Sequence, residues 1–227
     1  MLEIIRGRQV PQKQSIMEAV WRFRHQCFVD ELGWEALRQS DGRERDAFDT
    51  QSTIHLVLTE ENEVVGYSRL LPTMKPHLLS HLYPELIGEE SYPRGRQVFE
   101  WGRCATARHV RHVRGIATAD VLMTAVLEFL VFSKIETVII QTNPALVKMI
   151  RRRGYRLEVL REPVLYEGEP VMVIAAYPSF RLLQQHRKAY GIDQSLLSVP
   201  SRRARSFAIT DANHRAEESS GSWAEAE

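Results

Sequence analysis

The chain has 227 residues, and its 30 basic against 29 acidic side chains leave a net charge of +1. That length suits one well-buried domain with some excess; the near balance of charge says little about partners, and no nucleic-acid partner is expected. Two cysteines, Cys27 and Cys104, exclude a disulfide scaffold and fit a reduced, cytoplasmic protein, while no apolar run approaches the ~18 residues of a membrane span.

The N-terminal Met-Leu-Glu-Ile-Ile-Arg lacks the charged-then-apolar order of a secretory leader. Leu2 to Arg6 predicts a strand. Residues 12–32 place Ile16, Ala19, Val20, Phe23 and Cys27 at helical spacing, with Gly33 as a left-handed stop. Residues 35–52 are charged and aperiodic, and a loop of ~18 residues is usually functional or disordered. Thr53–Thr59 and Val64–Leu71 read as strands joined by the polar turn E-E-N-E. Four prolines break residues 72–96, leaving one helical turn near Leu78–Leu82. Val98–Thr106 is a strand, Ile116–Ser133 an amphipathic helix, Glu136–Thr142 a buried strand, and Pro144–Arg153 a short helix with proline at its first position. Tyr155–Leu160 and Pro170–Ala176 are strands, and Ser179–Tyr190 is the last helix. Past Gly191 large apolar residues thin out, so 191–227 reads as a mostly disordered tail behind a domain of residues 1–190. Truncation after Tyr190 is then expected to leave activity intact. Strands alternating with helices, and one antiparallel hairpin, imply an α/β sandwich with a mixed sheet.

Charged and aromatic residues stand out against this frame. Arg24 and Phe28, four apart, share a helix face about 100° from the Phe23/Cys27 stripe, and Trp34 follows the cap. Asp46 and Asp49 lie in a loop long enough to fold back over that face, where carboxylates and π faces together suit a cation. Arg69 shares a strand face with Tyr67 and Leu71, and a charge among apolar neighbours needs a partner. Glu100 and Arg103, three apart, face one pocket only if a bulge intervenes, and Gly102 is a reasonable place for it. The alternative is a structural ion pair. This set describes a pocket for a small zwitterion. His112-Val113-Arg114-Gly115-Ile116-Ala117 ahead of the long helix offers backbone N–H groups to a pyrophosphate or phosphopantetheine arm. It fits the N-acetyltransferase loop at Gly115 and Ala117 and departs from it at His112. Cys104 reads either as a nucleophile or as a small buried hydrophobe. No His or carboxylate near it in sequence would activate a thiol, which favours direct transfer.

Taken in order, Arg24, Phe28, Trp34, Asp46, Asp49, G-Y-S-R-L-L-P-T at 66–73, Glu100 and Arg103, then Thr142 followed by K-M-I-R-R-R-G-Y at 148–155, resemble the acyl-homoserine-lactone synthases, the LuxI-type autoinducer synthases. The resemblance covers roughly Met1 to Tyr190. Two positions depart from the family pattern: Gly102 stands where a Ser or Thr is usual, and Tyr83-Pro84 where a Phe is usual. Both bear on the acyl pocket.

The resemblance implies an N-acetyltransferase-like, three-layer α-β-α sandwich around a mostly antiparallel sheet, and a two-step reaction. The amine of S-adenosylmethionine attacks an acyl thioester. The product's carboxylate then closes on its own γ-carbon and expels methylthioadenosine. An N-acyltransferase of the same fold acting on another amine is the alternative. Glu100 is the candidate base, with a backbone carbonyl or a water relay as its competitor. Arg24, Arg69 or Arg103 would clamp the substrate carboxylate, and Asp46, Asp49, Phe28 and Trp34 would face its cations. The acyl region is expected near Cys104, Ala105, Gly115 and Thr142, with a backbone N–H at Cys104 or Ala105 as an oxyanion donor. Lys148, Arg151, Arg152 and Arg153 would receive an acidic acyl-carrier protein, although coenzyme A would want the same charges. No cofactor or metal is expected, S-adenosylmethionine being a substrate.

Overall fold

A computed structural model describes residues 1–88, 91–166 and 168–198. Strands β1 (Leu2–Arg6), β2 (Ile54–Glu60), β3 (Glu63–Pro72) and β4 (Val98–Thr106) form the first half of one sheet. A small hairpin, β5 (His112–Val113) and β6 (Ile116–Ala117), leads into helix α2 (Thr118–Phe132), the first helix being α1 (Gln14–Arg24). Strand β7 (Thr137–Thr142), helix α3 (Pro144–Arg152), strands β8 (Arg156–Tyr166) and β9 (Glu169–Tyr177) and helix α4 (Phe180–Tyr190) complete the chain order. The large sheet runs β1-β2-β3-β4-β7-β9-β8. Its pairs are antiparallel apart from β4 with β7.

Helices cover both faces. The guanidinium of Arg24 in α1 sits over the Tyr67 ring, while Leu122 of α2 lies against the neighbouring Gly66. Adjacent strand residues point to opposite faces, so α1 and α2 lie on opposite sides and the sandwich has three layers. The β2–β3 turn puts Glu61 and Asn62 at φ +48° and +69°, the left-handed pair that a two-residue hairpin demands.

The expected elements form, with four informative differences. The first helix continues past Arg24 as a π-helical segment, His25–Glu31, before Gly33 at φ +73° ends it. Helix α2 is not amphipathic: residues 121–130 are buried all round, as expected of an apolar helix sandwiched inside a domain. The 112–117 stretch is a closed hairpin rather than an open nest, with Gly115 in its turn at φ +80°. Finally, the packed chain runs past Tyr190. Ile192 is buried, and the Leu2 N–H donates to Leu196 O at 2.9 Å. Leu197 pairs in parallel with Leu2, on the outer edge of β1. Glu128, fully buried in α2, accepts from Arg187, from the Ser195 hydroxyl at 2.6 Å and from the Leu196 N–H at 3.0 Å. The expected tail therefore begins too early at residue 191. Its remainder, 199–227, lies outside the described residues.

Candidate active site

The charged residues of the first half of the chain converge on one face of β3 and β4. Arg24 and Arg69 are at most 1% exposed, so their heads as well as their stems are buried. Asp49 accepts from both, at 2.9 Å from each. Asp46 accepts from Arg69 at 2.7 Å and from Arg103 at 3.3 Å. A third carboxylate, Glu44, closes the lattice: it receives Arg24 Nε at 2.5 Å and Arg103 at 3.3 Å. Three guanidiniums thus meet three carboxylates, and this neutrality makes their burial tolerable.

The local sequence explains how they meet. Gly7 lies so close to Thr50 that an added Cβ would come within 1.8 Å of its carbonyl oxygen. The Gly7 N–H donates to Thr53 O and the Glu44 N–H to Trp21 O, tying the long loop to the end of β1 and to α1. Asp46 caps the turn at Phe48 N.

The lattice fixes protonation states. Burial opposes the charge on Arg24, but Asp49 and Glu44 beside it prevail and hold its proton more tightly. Burial would raise the Asp49 pKa, yet Arg24 and Arg69 hold it well below the usual carboxylate range. His55, hydrogen-bonded to the Tyr67 hydroxyl at 2.7 Å, is pushed down to about 4, by burial first and then by the two arginines. It is neutral near pH 7 and leaves the charge balance undisturbed.

The aromatic members complete the face. Phe28 is buried and Trp34 is 45% exposed. Their rings stack with centroids 5.3 Å apart. The Arg103 guanidinium lies 5.5 Å from the Phe28 centroid and 5.7 Å from that of Trp34, so the pair already holds a cation on its π faces.

The bulge that lets Glu100 and Arg103 share this face is present. Arg69 pairs with Gly102 but Tyr67 with Ala105, two residues opposing one across Ser68. The strained residue is Arg103, at φ +51°, rather than Gly102. A Cβ at Gly102 would meet nothing within 4 Å, so the hydroxyl usual in the family is replaced here by open space. Glu100 pairs with Leu71 and hence faces the same side as Arg69. It is 1% exposed, its Oε2 accepts from Leu79 N–H at 2.9 Å, and its Oε1 has no partner among the described residues. Burial raises its pKa, which suits a base working near neutrality.

Several expected roles need correction. Arg24 and Arg69 spend part of their guanidiniums on the lattice, and Nη2 of each has no partner among the described residues; Arg103, 8% exposed, is the one of the three nearest solvent. Cys104 is not a buried hydrophobe but an exposed residue. Protein around its thiol raises the pKa to about 11, so it stays a thiol, which favours direct transfer. Ala105 pairs with Tyr67 and Thr142 with Met172. Lys148, Arg151 and Arg152 are exposed, whereas Arg153 leaves that patch to bond Asp120 at 2.7 Å. Glu44 and His55 join the candidate site without having been singled out in the sequence, while Tyr67, placed there on the face of Arg69, was given no role. The alternation Glu44-Arg45-Asp46 was the available signal for the first.

A mixed, twice-covered sheet with a bulged β4, parting from its parallel neighbour beside a buried charged cluster, has the architecture of the N-acetyltransferase-like α/β fold. The autoinducer synthase family model matches residues 9–181, and the chain belongs to that family. It is 40% identical over 116 residues to the isovaleryl-homoserine lactone synthase of Bradyrhizobium diazoefficiens, a match spanning 51% of this chain and 52% of that one. It is 29% identical over 172 residues to an acyl-homoserine-lactone synthase of Ralstonia nicotianae, covering 73% and 83% of the two chains. Among solved structures, the coenzyme-A-dependent acyl-homoserine lactone synthase BjaI with SAM and isopentyl-CoA superposes with a TM-score of 0.81 at 28% identity, covering 88% of this chain and 94% of that one. A Lactobacillus plantarum protein classed as an N-acetyltransferase, at 21% identity and a TM-score of 0.51, shares the fold alone.

Proposed function

We propose that this chain is an acyl-homoserine-lactone synthase that acylates S-adenosylmethionine from an acyl-coenzyme A. The observation that carries the reading is the bulge at Arg103. It turns the buried, partly unpartnered carboxylate of Glu100 and the Arg103 guanidinium to one face, beside the lattice and the Phe28/Trp34 pair.

The substrate's α-ammonium gives a proton to Glu100, and the free amine attacks the thioester carbonyl. A C–N bond forms, the C–S bond breaks, and the thiolate takes up a proton to leave as thiol. The substrate carboxylate then attacks its own γ-carbon, and the sulfonium leaves as neutral methylthioadenosine. No further co-reactant is needed. Arg103 holds the carboxylate for closure, proximity and orientation doing most of the work. The sulfonium rests against Phe28 and Trp34, while Asp46, Asp49 and Glu44 keep the arginines in place.

Coenzyme A as the carrier is supported by the likeness to BjaI and by the removal of Arg153 from the expected carrier-docking patch. A cytoplasmic setting follows from such a donor; among the described residues no helix is long and apolar enough to cross a membrane. The test is incubation with S-adenosylmethionine and matched panels of acyl-coenzyme A and acyl-carrier thioesters, following thiol, methylthioadenosine and lactone mass. Thiol release with other amines but not with S-adenosylmethionine overturns the reading. Lactone formation from acyl-carrier thioesters alone overturns the carrier assignment.

A further inference from the structure

Strands β4 and β7 pair only over Val98–Glu100 against Thr137–Ile139, although β4 continues to Thr106 and β7 to Thr142. Beyond Glu100 they are no longer partners, and a gap opens between them. On the side away from the charged lattice, Trp101 stands on the stretch of β4 that β7 no longer covers, and Cys104 and Tyr155 lie near it. Trp101 donates from Nε1 to the Ser68 hydroxyl at 2.5 Å, and the Cys104 thiol lies beside Ser68. Tyr155, just ahead of β8, reaches back so that its ring lies 6.3 Å from Trp101 and 5.8 Å from His186, centroid to centroid.

Tyr155 is 3% exposed, yet its hydroxyl has no hydrogen-bond partner among the described residues. Trp101 spends its N–H on Ser68, and His186 spends Nε2 on Arg153 O and Nδ1 on Thr124. An unsatisfied buried hydroxyl is destabilising, and phenylalanine would fill the same space without that penalty. Burial drives the phenol pKa far up, with Cys104, Arg153 and Tyr190 as the ionisable groups facing it. The group is therefore a permanent donor. Cys104, on the unpaired stretch of β4, is an exposed residue, so this edge of the strand can be approached from solvent.

We propose that the Tyr155 hydroxyl donates a hydrogen bond to the acyl carbonyl oxygen of the donor thioester, seated in the gap between β4 and β7. This rests on the acyltransferase reading above and adds a substrate-binding residue to it. The carbonyl oxygen gains negative charge as the amine attacks, so the bond strengthens in the transition state.

Cys104 serves as the reporter, because Cys27 is buried. Without S-adenosylmethionine, the rate of Cys104 alkylation at mildly alkaline pH should fall several-fold on saturation with free coenzyme A, and further with isovaleryl-coenzyme A. In Tyr155→Phe the protection by free coenzyme A should persist and the extra protection by the acyl form should vanish. In turnover the same variant should lose at least ten-fold in kcat/KM for the acyl donor, with KM for S-adenosylmethionine unchanged and Tm unchanged or raised. Equal acyl-dependent protection in both proteins, or a donor kcat/KM in Tyr155→Phe equal to that of an active wild type, overturns the role of Tyr155. So does a fall in Tm accompanied by equal losses for both substrates. Because the labelling needs no turnover, acyl-dependent protection lost in the variant but without lactone from wild type overturns the function reading alone.

Discussion

The two sides of β4 solve opposite problems. On one side Arg24, Arg69 and Arg103 meet Glu44, Asp46 and Asp49, and each charge has an opposite neighbour. On the other side the tyrosine and cysteine are uncharged, and the phenol has no partner among the described residues. A buried charge must be compensated within the protein at all times, whereas a neutral hydroxyl can go unsatisfied for about 1–3 kcal/mol until a ligand arrives. The charged side is thus neutralised before substrate binds, although Nη2 of Arg24 and of Arg69 and Oε1 of Glu100 have no partner among the described residues, while the neutral side relies on a single unsatisfied hydroxyl.

The sharpest way to break this contrast is to unbalance the charged side. Asp49→Ala leaves three guanidiniums against two carboxylates, and breaking such a buried pair costs about 3–5 kcal/mol. Denaturant unfolding should show that loss together with loss of activity. A variant of wild-type stability that loses only affinity for S-adenosylmethionine would mean that Asp49 serves the substrate instead. Glu100→Gln keeps the oxygen that accepts from Leu79 N–H and should fold normally while losing roughly 10²–10⁴ in turnover. Burial raises the Glu100 pKa and the carboxylate is the active form. Wild-type kcat/KM should therefore fall as pH drops through a value above the ordinary ~4.3, and this acid limb should be absent in the variant.

A cut after Tyr190 tests a third kind of burial. Glu128 would keep Arg187 but lose Ser195 and Leu196, two bonds to a charged group worth about 1.5–3 kcal/mol each. The midpoint of unfolding should drop against a chain ending at Ser198, which keeps both. The smallest effect belongs to the exposed rim: Trp34→Ala should raise KM for S-adenosylmethionine about five-fold, the scale of a cation–π contact worth ~1 kcal/mol, with kcat little changed.

This contrast also explains what could be read from the sequence. Arg24, Asp46, Asp49 and Arg69 were legible because charges at core-like spacings demand partners, and the loop was long enough to bring them. Glu44 escaped because a glutamate in an acidic loop looks solvated until its backbone N–H is seen on Trp21 O. The bulge was expected at Gly102, but Arg103 carries the strain; local sequence rarely reveals where a non-glycine is forced to positive φ. Tyr155 was read as the start of a strand, since nothing local distinguishes a phenol reaching to Trp101 from ordinary core. Helix α2 was expected to be amphipathic but is buried over residues 121–130; its Glu128 is held by Arg187, Ser195 and Leu196, partners too distant in sequence for a local pattern to reveal.

The pairing of Leu2 with Leu197 bears on how the molecule is made. Contacts between residues so distant in sequence form late, because the chain between them must first be ordered. During synthesis the outer edge of β1 stays bare until nearly two hundred residues have emerged, and a bare strand edge invites pairing with other chains. The stretch that closes it is short, so the hazard should end abruptly, with the arrival of residues 196 and 197.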